Sequence, residues 1–284
     1  MQNKFDTIIL EGGSLKCAFT AGILDVFMDN NFAEFNNYYG VSSGSMAMSF
    51  LISRQRKNFI KVARAVVENP EFLSYMNSFS SSGLMNLDFL EEYVRETFPF
   101  DEELALKNIE GKRVKIIATD KLTGKPHYIT PTKSNWINVL MASSTLPFIT
   151  KGETTVGGVK LFDGGYSDPI PIREAIKNGS KNMLVIRTRP IDVRLDLSYV
   201  SWFAQYWNYD NDAISELFNN SYKTYNDRAD FLIGEKPDGV NWTMLAPPEP
   251  LRSDGYYLYK EDIDADYRLG LEIGIDFLHS LKNG

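Results

Sequence analysis

Ser42 is the residue whose type and surroundings most directly suggest chemistry. It lies in Gly40-Val41-Ser42-Ser43-Gly44, which fits the nucleophile-elbow pattern G-x-S-x-G with Gly40 and Gly44 as its glycines. In such an elbow, a sharp turn from a strand into a helix strains the serine backbone, and glycines stand where a Cβ would clash. The same pattern also occurs in ordinary turns rich in glycine and serine. The surrounding elements must therefore distinguish a nucleophile from a turn.

Asp163 is the second polar side chain that the sequence delivers into a glycine turn. It follows the strand pattern Val159-Lys160-Leu161-Phe162 and precedes Gly164 and Gly165. An Asp-Gly pair also forms ordinary turns, so a purely structural role stays open from this segment alone. A serine hydroxyl needs a base to act as a nucleophile, and Asp163 is one candidate for that base.

The two histidines are the other candidate bases. His127 belongs to the predicted hairpin strand 127–130, where an exposed or hydrogen-bonded side chain is typical. His279 lies near the end of a predicted final helix, and the chain order Ser42, Asp163, His279 matches an α/β-hydrolase triad. That fold places several strands before the strand of its elbow, whereas here only one predicted strand precedes it. A soluble esterase with a Ser-His-Asp triad that uses His279 nevertheless stays open as an alternative.

A third glycine turn, Glu11-Gly12-Gly13-Ser14-Leu15-Lys16-Cys17, connects a predicted strand to a predicted helix. A turn of this kind can cradle a nucleotide phosphate, supply backbone amides to an oxyanion, or simply reverse the chain. It lacks the Gly-Lys-Ser/Thr ending of a Walker loop, and a dinucleotide fingerprint would need glycine at Ser14 and Cys17. The sequence therefore predicts either an oxyanion loop or a plain turn.

Alternating strand and helix patterns surround these turns and indicate an α/β fold. Apolar runs predict strands, and helical periodicity follows several of them, with Ser134 expected to cap one helix. We find no internal repeat and no linker that would divide the chain, so we expect a single domain over 1–284. The predicted strands are 7–10, 38–41, 114–118, 127–130, 159–162, 183–187 and 242–245, and the predicted helices are 18–29, 44–52, 134–143, 222–233 and 264 to the end.

In their order along the chain, four blocks resemble the patatin-like phospholipase family, over residues 5–188. The blocks are Gly12-Gly13-Ser14-Leu15-Lys16-Cys17, Gly40-Val41-Ser42-Ser43-Gly44, Ala142-Ser143-Ser144-Thr145-Leu146-Pro147 and Asp163-Gly164-Gly165. Each block alone is weak, whereas their joint occurrence in this order is specific. The resemblance implies a three-layer α/β/α domain with a mainly parallel central sheet. We expect the remainder, about 195–284, to pack on this domain as a helical and aromatic extension.

The same resemblance implies a lipid acyl hydrolase with a Ser-Asp dyad. Ser42 would be its nucleophile and Asp163 its base, and no cofactor or metal is expected. The oxyanion and substrate-binding loop would contain Gly12, Gly13, Ser14, Leu15 and, as its basic residue, Lys16. The family usually has glycine where Ser14 and Cys17 stand, so a catalytically weak lipid-binding or regulatory protein is a second alternative.

Composition limits the partners that we expect. A net charge of −7 and a pI of about 5.1 argue against nucleic-acid binding. The expected partner is a lipid or acyl-ester substrate, with at most transient contact with a membrane surface and no obligate protein partner. The aromatic run 197–207 is expected to pack in the core, or alternatively to cover an acyl pocket or touch lipid. With Cys17 as the only cysteine and no signal-peptide pattern, we expect a soluble cytoplasmic protein.

Overall fold

The computed structural model describes residues 4–69, 91–92, 95–146, 154–196, 212–254 and 259–283. Within them, eight strands form one mixed sheet. The strands are β1 Thr7–Leu10, β2 Asn37–Val41, β3 Arg113–Asp120, β4 Pro126–Ile129, β5 Thr154–Val156, β6 Val159–Asp163, β7 Asn182–Ile186 and β8 Asn241–Leu245. The helices are α1 Cys17–Asp29, α2 Ser43–Ile52, α3 Asn58–Glu68, α4 Glu102–Asn108, α5 Trp136–Ser144, α6 Ile172–Lys177, α7 Asp212–Ile233 and α8 Lys260–Asn283.

The sheet has the strand order β5-β6-β3-β2-β1-β7-β8, with β4 paired to β3 outside this path. Strands β3, β2, β1, β7 and β8 run parallel, whereas β4 and β6 are antiparallel to β3 and β5 is antiparallel to β6. Helices cover both faces, so the predicted α/β class and the three-layer α/β/α architecture with a mainly parallel sheet are confirmed.

Two apolar cores lie on opposite faces of the sheet because side chains of a strand alternate between its faces. In β1, Ile8 and Leu10 belong to the core shared with α1, α2, α3, α5 and α8, whereas Ile9 belongs to the core shared with α6 and α7. All four residues of β1 are buried, as expected for a central parallel strand. The carboxyl ends of β1 and β2 therefore lie between two helical layers.

Strands β2 and β6 meet along one edge of β3. Residues Ala118 and Thr119 of β3 pair with β4 on one side and with β6 on the other. Ile116 and Ile117 pair with β4 and, on the opposite side, with β2. Since β4 occupies one edge, β2 and β6 share the other edge, and their carboxyl ends point toward each other.

The C-terminal part of the chain extends the same sheet. Strand β8 pairs in parallel with β7, and α8 packs along α1. Helix α7 begins at Asp212, earlier than the predicted 222, while its predicted end at Ile233 agrees. Whether the whole chain is a single domain, as predicted, stays a prediction. None of the helices that the structure describes is long and apolar enough to cross a membrane.

One local prediction was wrong, and another lies outside the described residues. Ser134 does not cap α5, because the N-cap is Asn135, whose side-chain oxygen accepts from the amide of Thr132 instead of from a helix amide. The aromatic run 197–207 falls on residues that are not described.

Candidate active site

Ser42 occupies a strained elbow between β2 and α2. Its backbone has φ 52° and ψ −134°, a conformation that side-chain-bearing residues rarely adopt. The elbow packs directly on the glycine turn after β1, since a Cβ built on Gly44 would lie 2.5 Å from the carbonyl oxygen of Glu11. The half-buried Ser42 side chain thus lies at the N-terminus of α2, where the helix dipole favours negative charge.

Ser143 fixes this elbow from the neighbouring helix α5. Its hydroxyl accepts a hydrogen bond from the Ser42 amide at 2.8 Å and donates to the carbonyl of Ile117 in β3 at 2.5 Å. On the helix side, the Ser45 hydroxyl donates to the Ser42 carbonyl at 2.6 Å. Hydrogen bonds therefore hold the strained Ser42 backbone at both its amide and its carbonyl group.

Asp163 lies at the end of β6 and forms a side-chain hydrogen bond with Ser42. Its amide donates to the carbonyl of Thr145 at 2.8 Å, and its carbonyl accepts from the Thr119 hydroxyl at 2.7 Å. The amide of Gly165 donates to its Oδ1 at 2.7 Å. The structure thus brings Ser42 and Asp163 together, fixes the Asp163 backbone at its amide and its carbonyl, and orients the carboxylate with the Gly165 amide.

Burial raises the pKa of the Asp163 carboxyl to about 6, because only 4% of the residue is exposed. The hydrogen bonds from Ser42 and from the Gly165 amide act in the opposite direction and favour the charged form. A carboxylate with this pKa is a stronger base than an exposed aspartate and is still mainly ionised at neutral pH.

The glycine turn after β1 faces the Ser42 elbow. A Cβ built on Gly12 would lie 2.8 Å from the Cβ of Ser42, so a side chain at this position would occupy the space next to the hydroxyl. Gly13 and Ser14 both have positive φ, 154° and 54°. No hydrogen bond links the amides of these two residues to any residue that the structure describes. They are free donors beside Ser42, as an oxyanion site needs.

Lys16 and Cys17, at the end of this turn, each bind a partner other than Ser42. The Lys16 ammonium forms an ion pair with Asp254, and burial together with the nearby Arg189 lowers its pKa. Cys17 is fully buried and accepts a hydrogen bond from the Ser43 hydroxyl at 3.0 Å. Burial raises the pKa of this thiol to about 12, which fits a packing residue better than a reactive one.

Glu11, immediately before the turn, is a site residue that sequence reasoning missed. It is 1% exposed and accepts a hydrogen bond from the Thr188 amide at 3.1 Å. Its carboxylate also pairs with Arg189 at 3.0 Å and with Arg187 at 3.5 Å. All four residues follow the carboxyl ends of adjacent parallel strands, β1 and β7, and that placement is the signal that could have identified them.

Neither histidine takes part in the site. His127 is an exposed residue of β4. His279 is exposed on α8, two residues after Phe277, whose ring packs 5.9 Å from the ring of Phe5. Phe5 precedes β1, so His279 lies near the amino ends of the parallel strands, whereas Ser42 follows a carboxyl end. The alternative of a triad that uses His279 was therefore wrong.

A cavity of about 240 Å³ lies beside the elbow between α2, α3 and α5. Met46 lines it one helical turn after Ser42, on the same face of α2. From α5, Ile137 and Met141 line it, and Ser143 in the last turn of that helix contacts the elbow. The remaining wall is mostly apolar, with charged side chains such as Arg95 at its border.

The arrangement provides a serine hydroxyl, a buried carboxylate to take its proton, free amides and an apolar cavity. Together they suit nucleophilic attack on a carbonyl that carries an apolar group. In the part of the chain that the structure describes, no three His, Cys, Asp or Glu side chains are grouped so that they could hold a metal ion.

Comparisons with known proteins agree with this geometry. The family model described as patatin-like phospholipase matches residues 8–176, and one described as a domain of unknown function (DUF6363) matches residues 212–284. The chain is 31% identical over 277 residues to the Uncharacterized protein YjjU of Escherichia coli (strain K12), covering 95% of this chain and 76% of that relative. VipD from Legionella pneumophila matches 98% of this chain and 67% of its own at 10% identity, with a TM-score of 0.46, too low to support an argument.

Proposed function

Because the chain belongs to the patatin-like phospholipase family, we propose that it is a serine hydrolase that cleaves acyl esters of lipids through a Ser42-Asp163 dyad. The reaction class is that of a phospholipase A or lysophospholipase. The observation that carries the proposal is the hydrogen bond between the strained Ser42 and the buried Asp163. Family membership supports lipid acyl esters as the substrate class.

In the first half of the reaction, the Ser42 hydroxyl oxygen attacks the ester carbonyl while the Asp163 carboxylate takes its proton. The carbonyl electrons move to the oxygen, which becomes an oxyanion next to the amides of Gly13 and Ser14. When the tetrahedral intermediate collapses, the proton held by Asp163 passes to the departing alcohol oxygen. The products of this half are an acyl ester on Ser42 and a free alcohol.

The second half repeats the same steps with water. Asp163, ionised again, takes a proton from a water molecule that attacks the acyl carbonyl. The second tetrahedral intermediate then expels the Ser42 oxygen, which takes back the proton. The fatty acid leaves, and the dyad returns to its starting state without a cofactor.

The apolar cavity supports an acyl chain as the group next to the ester. It begins at Met46, one turn from Ser42, and an extended chain bound there would keep its carbonyl near the elbow. Each methylene transferred from water into such a cavity contributes about 0.8 kcal/mol. Esters of longer acyl chains should therefore be better substrates than acetyl esters until the cavity is filled.

The alternative of a catalytically weak lipid-binding protein receives less support from the loop geometry. Ser14, where the family usually has glycine, adopts φ 54°, so the backbone keeps a conformation that glycine would favour. Cys17 is buried beneath the turn and does not occupy the approach to Ser42. Both substitutions leave the amides beside Ser42 free.

Hydrolysis of p-nitrophenyl acyl esters and of a lysophospholipid tests the proposal, with wild type compared with Ser42→Ala. We expect hydrolysis by the wild type only, and covalent labelling of the wild type alone by a fluorophosphonate. Equal rates for the two proteins would reject the proposal that the protein is a serine hydrolase. Hydrolysis of p-nitrophenyl esters without any lipid substrate would retain the dyad and reject the substrate class.

A further inference from the structure

We infer that the region matching the domain of unknown function, 212–284, holds the two loops of the candidate active site in place, with Asp254 and Arg228 as its positioning residues. The inference rests on the proposed function, since it names residues that act through the dyad site. Neither residue touches Ser42 or Asp163. Each instead binds a buried charged side chain next to one of the two loops.

The first contact reaches the glycine turn. Asp254, in the 3₁₀ turn Arg252–Asp254, pairs with the Lys16 ammonium, and the Lys16 side chain is only 9% exposed. The turn itself is fixed by Asp266 of α8, whose carboxylate accepts from the amides of Arg252 at 3.0 Å and Ser253 at 2.9 Å. A rigid path thus runs from α8 to the turn that carries the free amides.

The second contact reaches the loop after Asp163. Asp168 is 1% exposed and accepts hydrogen bonds from Arg228 of α7 at 2.9 Å and from the Tyr128 hydroxyl at 2.7 Å. The Asp168 amide donates to the carbonyl of Gly164 at 2.9 Å. Arg228 therefore fixes the segment whose Gly165 amide orients the Asp163 carboxylate.

A third contact, made by Tyr225 of α7, reaches the residue before the glycine turn through Arg187. Tyr225, one turn before Arg228 on α7, accepts a hydrogen bond from the fully buried Arg187 at 2.6 Å. Arg187 in turn pairs with Glu11, the residue before Gly12. The C-terminal region therefore makes three contacts with residues around the site. The nucleophile and the base themselves both lie in 8–176, the segment that matches the patatin-like phospholipase model.

Such contacts affect catalysis through geometry, because small displacements of oxyanion donors or of the base slow the chemical step. The expected signature is a lower kcat with little change in KM, since neither Asp254 nor Arg228 lines the apolar cavity. A purely structural role would instead reduce the amount of active protein and leave each remaining site at full speed.

Asp254→Asn is the principal test, because the Asp254 side chain is 45% exposed and its loss should be tolerated by the fold. Rates are measured per site that a fluorophosphonate labels to completion. We expect kcat about tenfold lower and KM within about twofold of wild type. The matched control is Asp264→Asn, which breaks the Arg64 ion pair of the same region away from the loops and should keep wild-type kcat.

A double variant shows whether Asp254 acts through Lys16. If it does, Lys16→Met with Asp254→Asn should lose no more activity than Lys16→Met alone, because the two residues belong to one interaction. Additive losses would overturn this route. Arg228→Met tests the contact with the loop after Asp163, and Arg228→Lys should restore part of kcat. The control is Arg194→Met, which removes an exposed ion pair with Asp230, a residue of the same helix as Arg228.

The outcomes separate this inference from the proposed function. A wild type no faster than Ser42→Ala rejects the proposed function. A wild type that exceeds Ser42→Ala, together with Asp254→Asn and Arg228→Met at full kcat per labelled site, retains the dyad and overturns the positioning role. Loss of kcat in both variants but not in their controls supports it.

Discussion

Ser42 and Asp163 stand at the facing ends of two strands that share one edge of β3. Val41, just before the serine, pairs with Ile117, and Asp163 pairs with the next residue, Ala118. The register of one strand therefore sets the distance between the two side chains. A pair positioned by a sheet is more rigid than one positioned by loops, which favours a fixed hydrogen bond.

Removing either member of this pair should abolish hydrolysis. For Asp163→Asn we expect kcat to fall about 10²–10⁴-fold, the range for loss of a general base, because the amide cannot take the Ser42 proton. For Ser42→Ala we expect the rate of the uncatalysed reaction. Both are measured as initial rates with a p-nitrophenyl acyl ester.

His127→Ala and His279→Ala are the controls for the dyad. Both side chains are exposed and remote from the elbow, so we expect rates within about twofold of wild type, in line with ordinary surface substitutions. An inactive His279→Ala with an active Asp163→Asn would reject the dyad in favour of a triad.

The activity should depend on pH through Asp163. Burial raises the pKa of this carboxyl to about 6, and only its ionised form can accept the proton. Below that pKa the ionised fraction decreases, so kcat/KM should fall about tenfold for each pH unit, with a plateau above it. Rates from pH 4.5 to 9 with a pH-stat assay of an uncoloured ester would show this. A profile that stays flat down to pH 4.5 would contradict Asp163 as the base.

The raised pKa of Asp163 also predicts that its ionised carboxylate lowers the free energy of unfolding at neutral pH. In the unfolded chain an aspartate has a pKa of about 3.9, and in the folded protein the pKa of Asp163 is about 6. Between these values the folded state binds more protons than the unfolded state, so the free energy of unfolding decreases as pH rises through the window. The expected total is about 2–3 kcal/mol, lost by pH 7.

Asp163→Asn removes this charge and should therefore raise the melting temperature at pH 8, but not at pH 4.5, where the native carboxyl is already mostly protonated. Thermal unfolding of both proteins at the two pH values measures the difference. If Asp163→Asn were destabilised equally at both pH values, the hydrogen bonds lost with the carboxylate would outweigh the gain from no longer burying a charge.

The parts of the site that the sequence predicted are those coded locally. Ser42 and Asp163 each follow an apolar strand pattern and precede a glycine turn, and these features are read within about ten residues. The strand patterns likewise predicted the buried strands of the sheet, because a central parallel strand is a short apolar run with turn residues at its ends.

The parts that could not be predicted depend on contacts between distant segments. Lys16 pairs with Asp254, 238 positions away in sequence, and no local pattern selects that partner. Ser143 was noticed only as part of a family block, whereas its bond to the Ser42 amide requires α5 to end beside β2. His279 fitted a triad by chain order alone, and only the direction in which α8 packs excludes it.

The close approach of the glycine turn to the elbow gives a steric prediction. A Cβ on Gly12 would lie 2.8 Å from the Ser42 Cβ and 2.9 Å from the Val41 carbonyl oxygen, so Gly12→Ala must displace the turn or the serine. We expect kcat to fall about 10²-fold, as misplacement by about 1 Å can cause. The rate is measured per labelled site, as for the other variants.

Ser14→Gly is the matched control on the same turn. The backbone at Ser14 already has φ 54°, which glycine adopts without strain, so its amide should keep its direction. We expect kcat/KM within about threefold of wild type. A gain of about tenfold or more would instead mean that Ser14 impairs the oxyanion donors, as a catalytically weak relative would require.

Filling the cavity should change which acyl chains are accepted without affecting the dyad. Ile137 lines the cavity from α5 and is only partly buried, so a tryptophan can replace it by taking up the cavity space. If acyl chains bind there, each methylene excluded costs about 0.8 kcal/mol, or roughly fourfold in kcat/KM. For Ile137→Trp we therefore expect a decrease of at least about tenfold in kcat/KM with decanoyl esters and little change with butanoyl esters of p-nitrophenol.

Ile275→Trp, at an exposed position of α8, is the control and should keep the wild-type chain-length profile. An unchanged profile in Ile137→Trp would mean that the acyl chain binds elsewhere, while the roles of Ser42 and Asp163 would stand on their own tests.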